Sequence, residues 1–148
     1  MSIITPAYAL KQLMLDASTV TAFIVDRIFP IGSIPQNVEI PYGFFETTDD
    51  EGEHHIAGAT GLHLADIEFT WVTRSKSQAE DIADAVRLVT DGRPQGVVGV
   101  DSQTINLVHL NLEDQVDDIV PPSDGKDRGL TLIEQRFRVG YEKEPATF

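Results

Sequence analysis

Residues 62–94 read LHLADIEFTWVTRSKSQAEDIADAVRLVTDGRP, and within them the chain changes period once. In the first half Ile67, Phe69 and Trp71 fall on one side, and Asp66, Glu68 and Thr70 on the other. A period of two is that of a half-buried strand. In the second half Ala79, Ile82, Ala83, Val86 and Val89 recur at helical spacing, while Glu80, Asp81, Asp84 and Arg87 take the wet side. Ser77, with Glu80 three residues on, reads as a capping box, in which each side chain satisfies the other's free backbone N–H. Gly92 and Pro94 end the run. The helix is expected to cover the Ile67/Phe69/Trp71 face of the strand before it.

On the N-terminal side, Tyr42 to Thr48 is short and aromatic-rich, a partner strand for Leu62 to Thr73. Between them Asp49-Asp50-Glu51-Gly52-Glu53-His54-His55, followed by Gly58 and Gly61, is too polar to bury area that would offset its ordering entropy. A mobile hairpin tip is expected there. Further back, Pro6 suits the first turn of a helix running to Asp16, with Ala9, Leu10, Leu13 and Met14 as its apolar stripe. A short second helical turn follows, with Thr19 as N-cap and Val20, Phe23 and Ile24 inward. Pro30, Pro35 and Pro41 make Phe29 to Val38 an ordered, irregular loop.

On the C-terminal side, Thr104 to Leu112 is apolar and branched, and its phase slips between Leu107 and Val108, which predicts a β-bulge. Leu130 to Tyr141 carries Ile133, Phe137, Val139 and Tyr141 on one face against Glu134, Arg136 and Arg138. Between these strands Asp117 to Arg128, with Pro121-Pro122-Ser123-Asp124-Gly125-Lys126-Asp127, forms a second polar loop. The order helix-strand-strand-helix-strand-strand predicts an α+β fold. It is read as a single domain over residues 1–148, an antiparallel four-stranded sheet with helices packed on one face.

The 148 residues, 41% of them hydrophobic, suffice for one core. Eleven Lys and Arg against 24 Asp and Glu leave a net charge of -13, the wrong sign for a phosphate-gripping groove or an anionic membrane surface. The absence of cysteine excludes disulfides, thiolate zinc sites and a cysteine nucleophile. Met1 to Pro6 lacks the basic start and apolar run of a secretory leader, and no apolar stretch nears the roughly 20 residues that span a bilayer. Synthesis in the cytoplasm without membrane association is expected.

Several groups invite chemistry. His54, His55 and His63 lie near Asp49, Asp50, Glu51 and Glu53, which raises the rival reading of a metal-dependent hydrolase. Metal ligands need rigid elements and outer hydrogen bonds to hold them, so a solvated tip is preferred. Asp117, Asp118, Asp124 and Asp127 miss the spacing of a calcium loop and its closing Glu. Glu46, Asp66 and Glu68 suit acid–base work by type, yet carboxylates on an exposed strand are a wet face. Ser33, Ser75, Ser77, Ser102 and Ser123 have no nucleophile elbow around them, and Gly96-Val97-Val98-Gly99 has no Lys-Ser/Thr pair after it. No catalytic, metal or cofactor-binding residue is assigned, and no enzyme is expected.

One ordered series runs through most of the chain: Asp26-Arg27-Ile28-Phe29-Pro30, Pro35-Gln36, Pro41-Tyr42, then Gly58-Ala59-Thr60-Gly61-Leu62 and the strand to Trp71. It continues in Ala79 to Val89 with Ala85-Val86-Arg87, then Asp117-Asp118, Pro121-Pro122 and the final strand to Tyr141. The series resembles the small tail-completion proteins of long-tailed bacteriophages, also described as tail-to-head joining or tail-terminator proteins. Ile119-Val120 departs from it, standing where an aromatic residue follows the acidic pair. The resemblance implies an α+β subunit of a virion ring, a hexamer, at the head-proximal end of the tail. The alternative it leaves is a head-closure or connector subunit of the neck. The partners it implies are further copies of the chain, the tail-tube protein and a head-completion or connector protein, with DNA passing through the lumen unbound. Ring neighbours call for adaptable segments. The two polar loops, with Asp49, Asp50, Glu51, Glu53, His54 and His55 in one and Asp124, Lys126, Asp127 and Arg128 in the other, are expected to order on contact.

Overall fold

The computed structural model describes residues 5–55, 58–90, 96–100, 103–120 and 130–142. Helix α1 spans Pro6–Leu15; Thr5 caps it, its Oγ1 accepting the Tyr8 N–H at 3.3 Å, and Pro6 fills the first turn. Its stripe of Ala9, Leu10, Leu13 and Met14 is buried. Helix α2, Ser18–Ile24, buries Val20 and Ile24 and partly buries Phe23. Thr19 is not its N-cap. That position is Ala17, which offers no side-chain bond and whose carbonyl accepts from both Val20 and Thr21 at 3.0 Å. Burial of Val20 and Ile24 one turn apart sets the start of this helix, at the expense of a side-chain cap.

Strand β1, Ile28–Pro30, takes up the beginning of what the prolines marked as irregular. It lies parallel to β2, Tyr42–His55, pairing Ile28 with Gly43 and Pro30 with Phe45. A proline without an N–H is tolerated at such an edge. Arg27 fastens this corner: its Nε donates to the Pro41 carbonyl at 2.9 Å and its own carbonyl accepts the Gly43 N–H at 2.8 Å.

The second correction is larger. Asp49–His55 is not a loop tip but the outer half of β2, paired antiparallel with β3, Gly58–Thr73, from Asp49 opposite Asp66 out to His55 opposite Gly58. Two register shifts, at Thr47/Asp49 and Gly52/His54, let the ribbon run on. Backbone ladder bonds are indifferent to side-chain polarity, so an acidic sequence can extend a hairpin whose inner half is anchored in a core.

Helix α3, Lys76–Thr90, packs where expected: Ile82 and Val86 join Ile67, Phe69 and Trp71 in the core, and Ala79 and Ala83 bring the helix close to Ile133. Its cap is Ser75 and not Ser77. Ser75 Oγ accepts the Gln78 N–H at 3.2 Å and the Ser75 carbonyl accepts from Ala79 at 3.1 Å. Ser77 lies inside the first turn and Glu80 beyond it, so the two do not frame the start of the helix.

The remaining strands are β4, Gly96–Val100, β5, Gln103–Val120, and β6, Leu130–Glu142. The sheet order is β1-β2-β3-β6-β5-β4. The four inner strands are the antiparallel set expected; β1, parallel, and β4, antiparallel, extend it at its edges, so the sheet is mixed. The foreseen bulge is there, a register shift between Leu107 and His109. The second polar loop begins later than expected, since Asp117 to Val120 still pairs with β6. Asp124, Lys126, Asp127 and Arg128 lie outside the described residues.

All three helices contribute to one core with Ile67, Phe69, Trp71, Phe137, Val139 and Tyr141. The rings of Phe45, Phe69 and Trp71 stack in file, with centroids 5.3 and 5.7 Å apart, and Phe137 meets Phe69 edge-on at 6.0 Å. One buried amide sits among them. Gln135 Oε1 accepts Trp71 Nε1–H at 2.8 Å, and its Nε2 donates to the Ala83 carbonyl at 3.2 Å and to Gln115 Oε1 at 3.1 Å.

Candidate functional site

The sheet face opposite the helices is built by strand alternation: around Glu68 and Arg136 the residues out of phase with the core share it. Register aligns it in rows. One row runs Glu46, Glu68, Arg136, Asp114 across β2, β3, β6 and β5; the row beside it contains Asp66 and Arg138. Arg136 Nη2 donates to Glu68 Oε2 at 3.2 Å. Arg138 grips Asp66 with two nitrogens, at 3.1 and 3.5 Å, and reaches Glu113 at 3.4 Å. These cross-strand pairs tie β3, β6 and β5 together on the wet side. The hydrogen bond that Arg136 donates to Glu68, and then the Glu68 charge, raise the pKa of Arg136 above its ordinary value.

Further along, the same face becomes mixed, with Phe44, Thr70, Glu134 and Val116 in one row and Tyr42, Val72, Leu132 and Asp118 in the next. Asp66 and Glu68, weighed for acid–base chemistry, are thus engaged by guanidinium groups. Their arrangement resists shear between strands; it does not present a free base over a bound substrate.

The residues singled out in the acidic stretch are brought to one end of the sheet. Asp49, Asp50, Glu51, Glu53, His54 and His55 occupy the outer half of β2, with His63 opposite Gly52. Among the described residues no group of three or more His, Asp or Glu is placed to hold a metal ion. Strand β1 covers β2 only at Gly43–Phe45, so from Glu46 to His55 the outer edge of β2 has no strand neighbour among the described residues. At the opposite edge β4 covers the end of β5 from Gln103 to Leu107. Gly96-Val97-Val98-Gly99, which in the sequence suggests only a phosphate loop without its Lys-Ser/Thr pair, is part of this strand, whose three valines within five residues carry the β-branched signal.

No described helix is long and apolar enough to cross a membrane. No protein-family model matches the chain, and no curated protein matches it. Among solved structures, a chain from the virion of a native gene transfer agent particle is similar, with a TM-score of 0.69 at 16% identity over 93% of this chain and 95% of that one. At that identity the likeness is one of fold.

Proposed function

We propose that this chain is a structural subunit of a phage-type virion. It forms a ring, a hexamer, at the head-proximal end of the tail, where it completes the tail tube and joins it to the head. The observation that carries the reading is the end-to-end fold likeness to a chain of a gene transfer agent virion. The tail-completion resemblance of the sequence points the same way, as does an open face on which Glu68 and Asp66 are held by Arg136 and Arg138. The chain acts as a single non-enzymatic domain without cofactor, made in the bacterial cytoplasm and carried in the particle.

Its partners are further copies of itself, the tail-tube protein and a head-completion or connector protein. The outer half of the β2–β3 ribbon and residues 124–128 contact them. The charge of -13 serves the passage of DNA. A lumen rich in Asp and Glu repels phosphate over about a Debye length, roughly 8 Å at physiological salt, so DNA slides without sticking.

Deleting the gene from the phage that carries it tests the reading. Heads should package DNA and tail tubes should polymerise, but particles should accumulate as separate heads and tails or with tails of irregular length. Purified protein should restore joining. Heads that lose their DNA would instead assign the chain to head closure, and infectious, normally joined particles would remove it from the tail end altogether.

A further inference from the structure

The sheet has two unequal edges. The edge of β2 from Glu46 to His55, without a strand neighbour among the described residues, carries Glu46, Asp49, Asp50, Glu51 and Glu53, and the part of β5 beyond the cover of β4 carries Glu113, Asp114, Asp117 and Asp118. Charges of one sign are the ordinary protection of an exposed edge, because pairing two such edges sets like charges opposite each other. Strand β4, Gly96-Val97-Val98-Gly99-Val100, has no charge at all, and among the described residues it has β5 as its one strand neighbour. It is the edge at which this acidic chain can add a strand without opposing carboxylate to carboxylate.

Register fixes its height in the sheet. Gly96 lies opposite Leu107, Leu107 opposite Tyr141, Tyr141 opposite His63 and His63 opposite Gly52. Hence β4 and the outer end of β2 stand at the same level on opposite edges. The alternation of antiparallel pairs from β2 through β3, β6 and β5 also makes β4 run in the same direction as β2. A pure rotation about an axis along the strands, with no rise, therefore brings β4 of one copy alongside Gly52–His55 of the next, in parallel.

We infer that β4 of each copy pairs in parallel with the outer half of β2 of its neighbour, so that a continuous sheet runs around the assembly. The occupant of each edge is a second copy of this chain. The contact is heterologous, which is the kind that closes into a ring when the rotation divides the circle. The inference rests on the ring reading of the preceding section, which says nothing of which strands meet.

The absence of cysteine makes disulfide trapping unambiguous. Facing residues of paired strands lie within the Cα separation that a disulfide bridges. In concentrated purified protein, chains with one substitution on each edge (V97C or V98C with E53C or H54C) are oxidised, run on a non-reducing gel and weighed by native mass spectrometry. At least one such pair should give a ladder of oligomers ending in a closed species, collapsed by reductant, whereas V98C or H54C alone should stay monomeric. Dimers from V98C alone would overturn the inference in favour of two-fold β4–β4 pairing. Rings seen by mass without a ladder from any pair would overturn it and leave the ring reading standing. A chain that is monomeric by both measures at every concentration would overturn both.

Discussion

Gly43 lies where β2 passes beneath the ring of Trp71, and a Cβ there would run into Cζ3 and Cε3 of the indole. An aromatic ring held in a file of stacked neighbours cannot step aside cheaply, so Gly43→Ala should cost about 1–3 kcal/mol, read as a lower urea midpoint at unchanged slope. Gln135 is the polar counterpart. Its amide is the acceptor for the buried Trp71 N–H and the donor to a helix carbonyl and to Gln115. Gln135→Leu keeps much of the volume but orphans the indole N–H, with an expected loss of about 1–3 kcal/mol in the same measurement. Val25 should respond in the opposite sense. It closes α2 at φ 56° and ψ -105°, a conformation that a β-branched residue reaches only with strain, and its side chain is 56% exposed. Relief on the order of 1–3 kcal/mol exceeds the roughly 0.5–1 kcal/mol of extra unfolded-state entropy that glycine brings. Val25→Gly should therefore raise the melting temperature.

Capping separates two serines that the sequence makes look alike. Ser75→Ala removes the oxygen that holds the Gln78 N–H and should cost about 1 kcal/mol, while Ser77→Ala, inside the first turn, should leave the thermal midpoint nearly unchanged. The elements that were legible in the chain are the periodic ones. Helices α1 and α3 and strands β3 and β6 have enough residues for a stripe to emerge, and the bulge after Leu107 betrayed itself as a slipped phase. With three and five residues, β1 and β4 are too short for any period to show. The outer half of β2 is hidden for another reason: its polarity reads as a lack of structure, whereas its order comes from ladder bonds to β3. Of the open face, the carboxylates of Asp66 and Glu68 were readable as a wet stripe. Their arginines were not, because they stand 72 and 68 residues away and become neighbours only through the pairing of β3 with β6.

Over the whole molecule 24 acidic residues against 11 basic ones make self-repulsion the dominant long-range force, larger than the few paired charges on the open face. Salt should accordingly stabilise. Between about 0.01 M and 1 M the Debye length shrinks from about 30 to about 3 Å, and the melting temperature should rise over that range even though the arginine pairs are screened at the same time. A falling temperature would mean that those pairs outweigh the net charge. The single tryptophan has a use of its own. Trp71 is sealed between α3 and the sheet, stacked on Phe69 and bonded through its N–H to an amide, far in kind from any exposed edge. Its fluorescence is thus the emission of one dry site: blue in the native subunit, red once the core opens, and blind to contacts that strand edges make with other chains. In a dilution series, light scattering would follow the loss of partners while the emission colour held still, and the colour would change only when the subunit itself came apart.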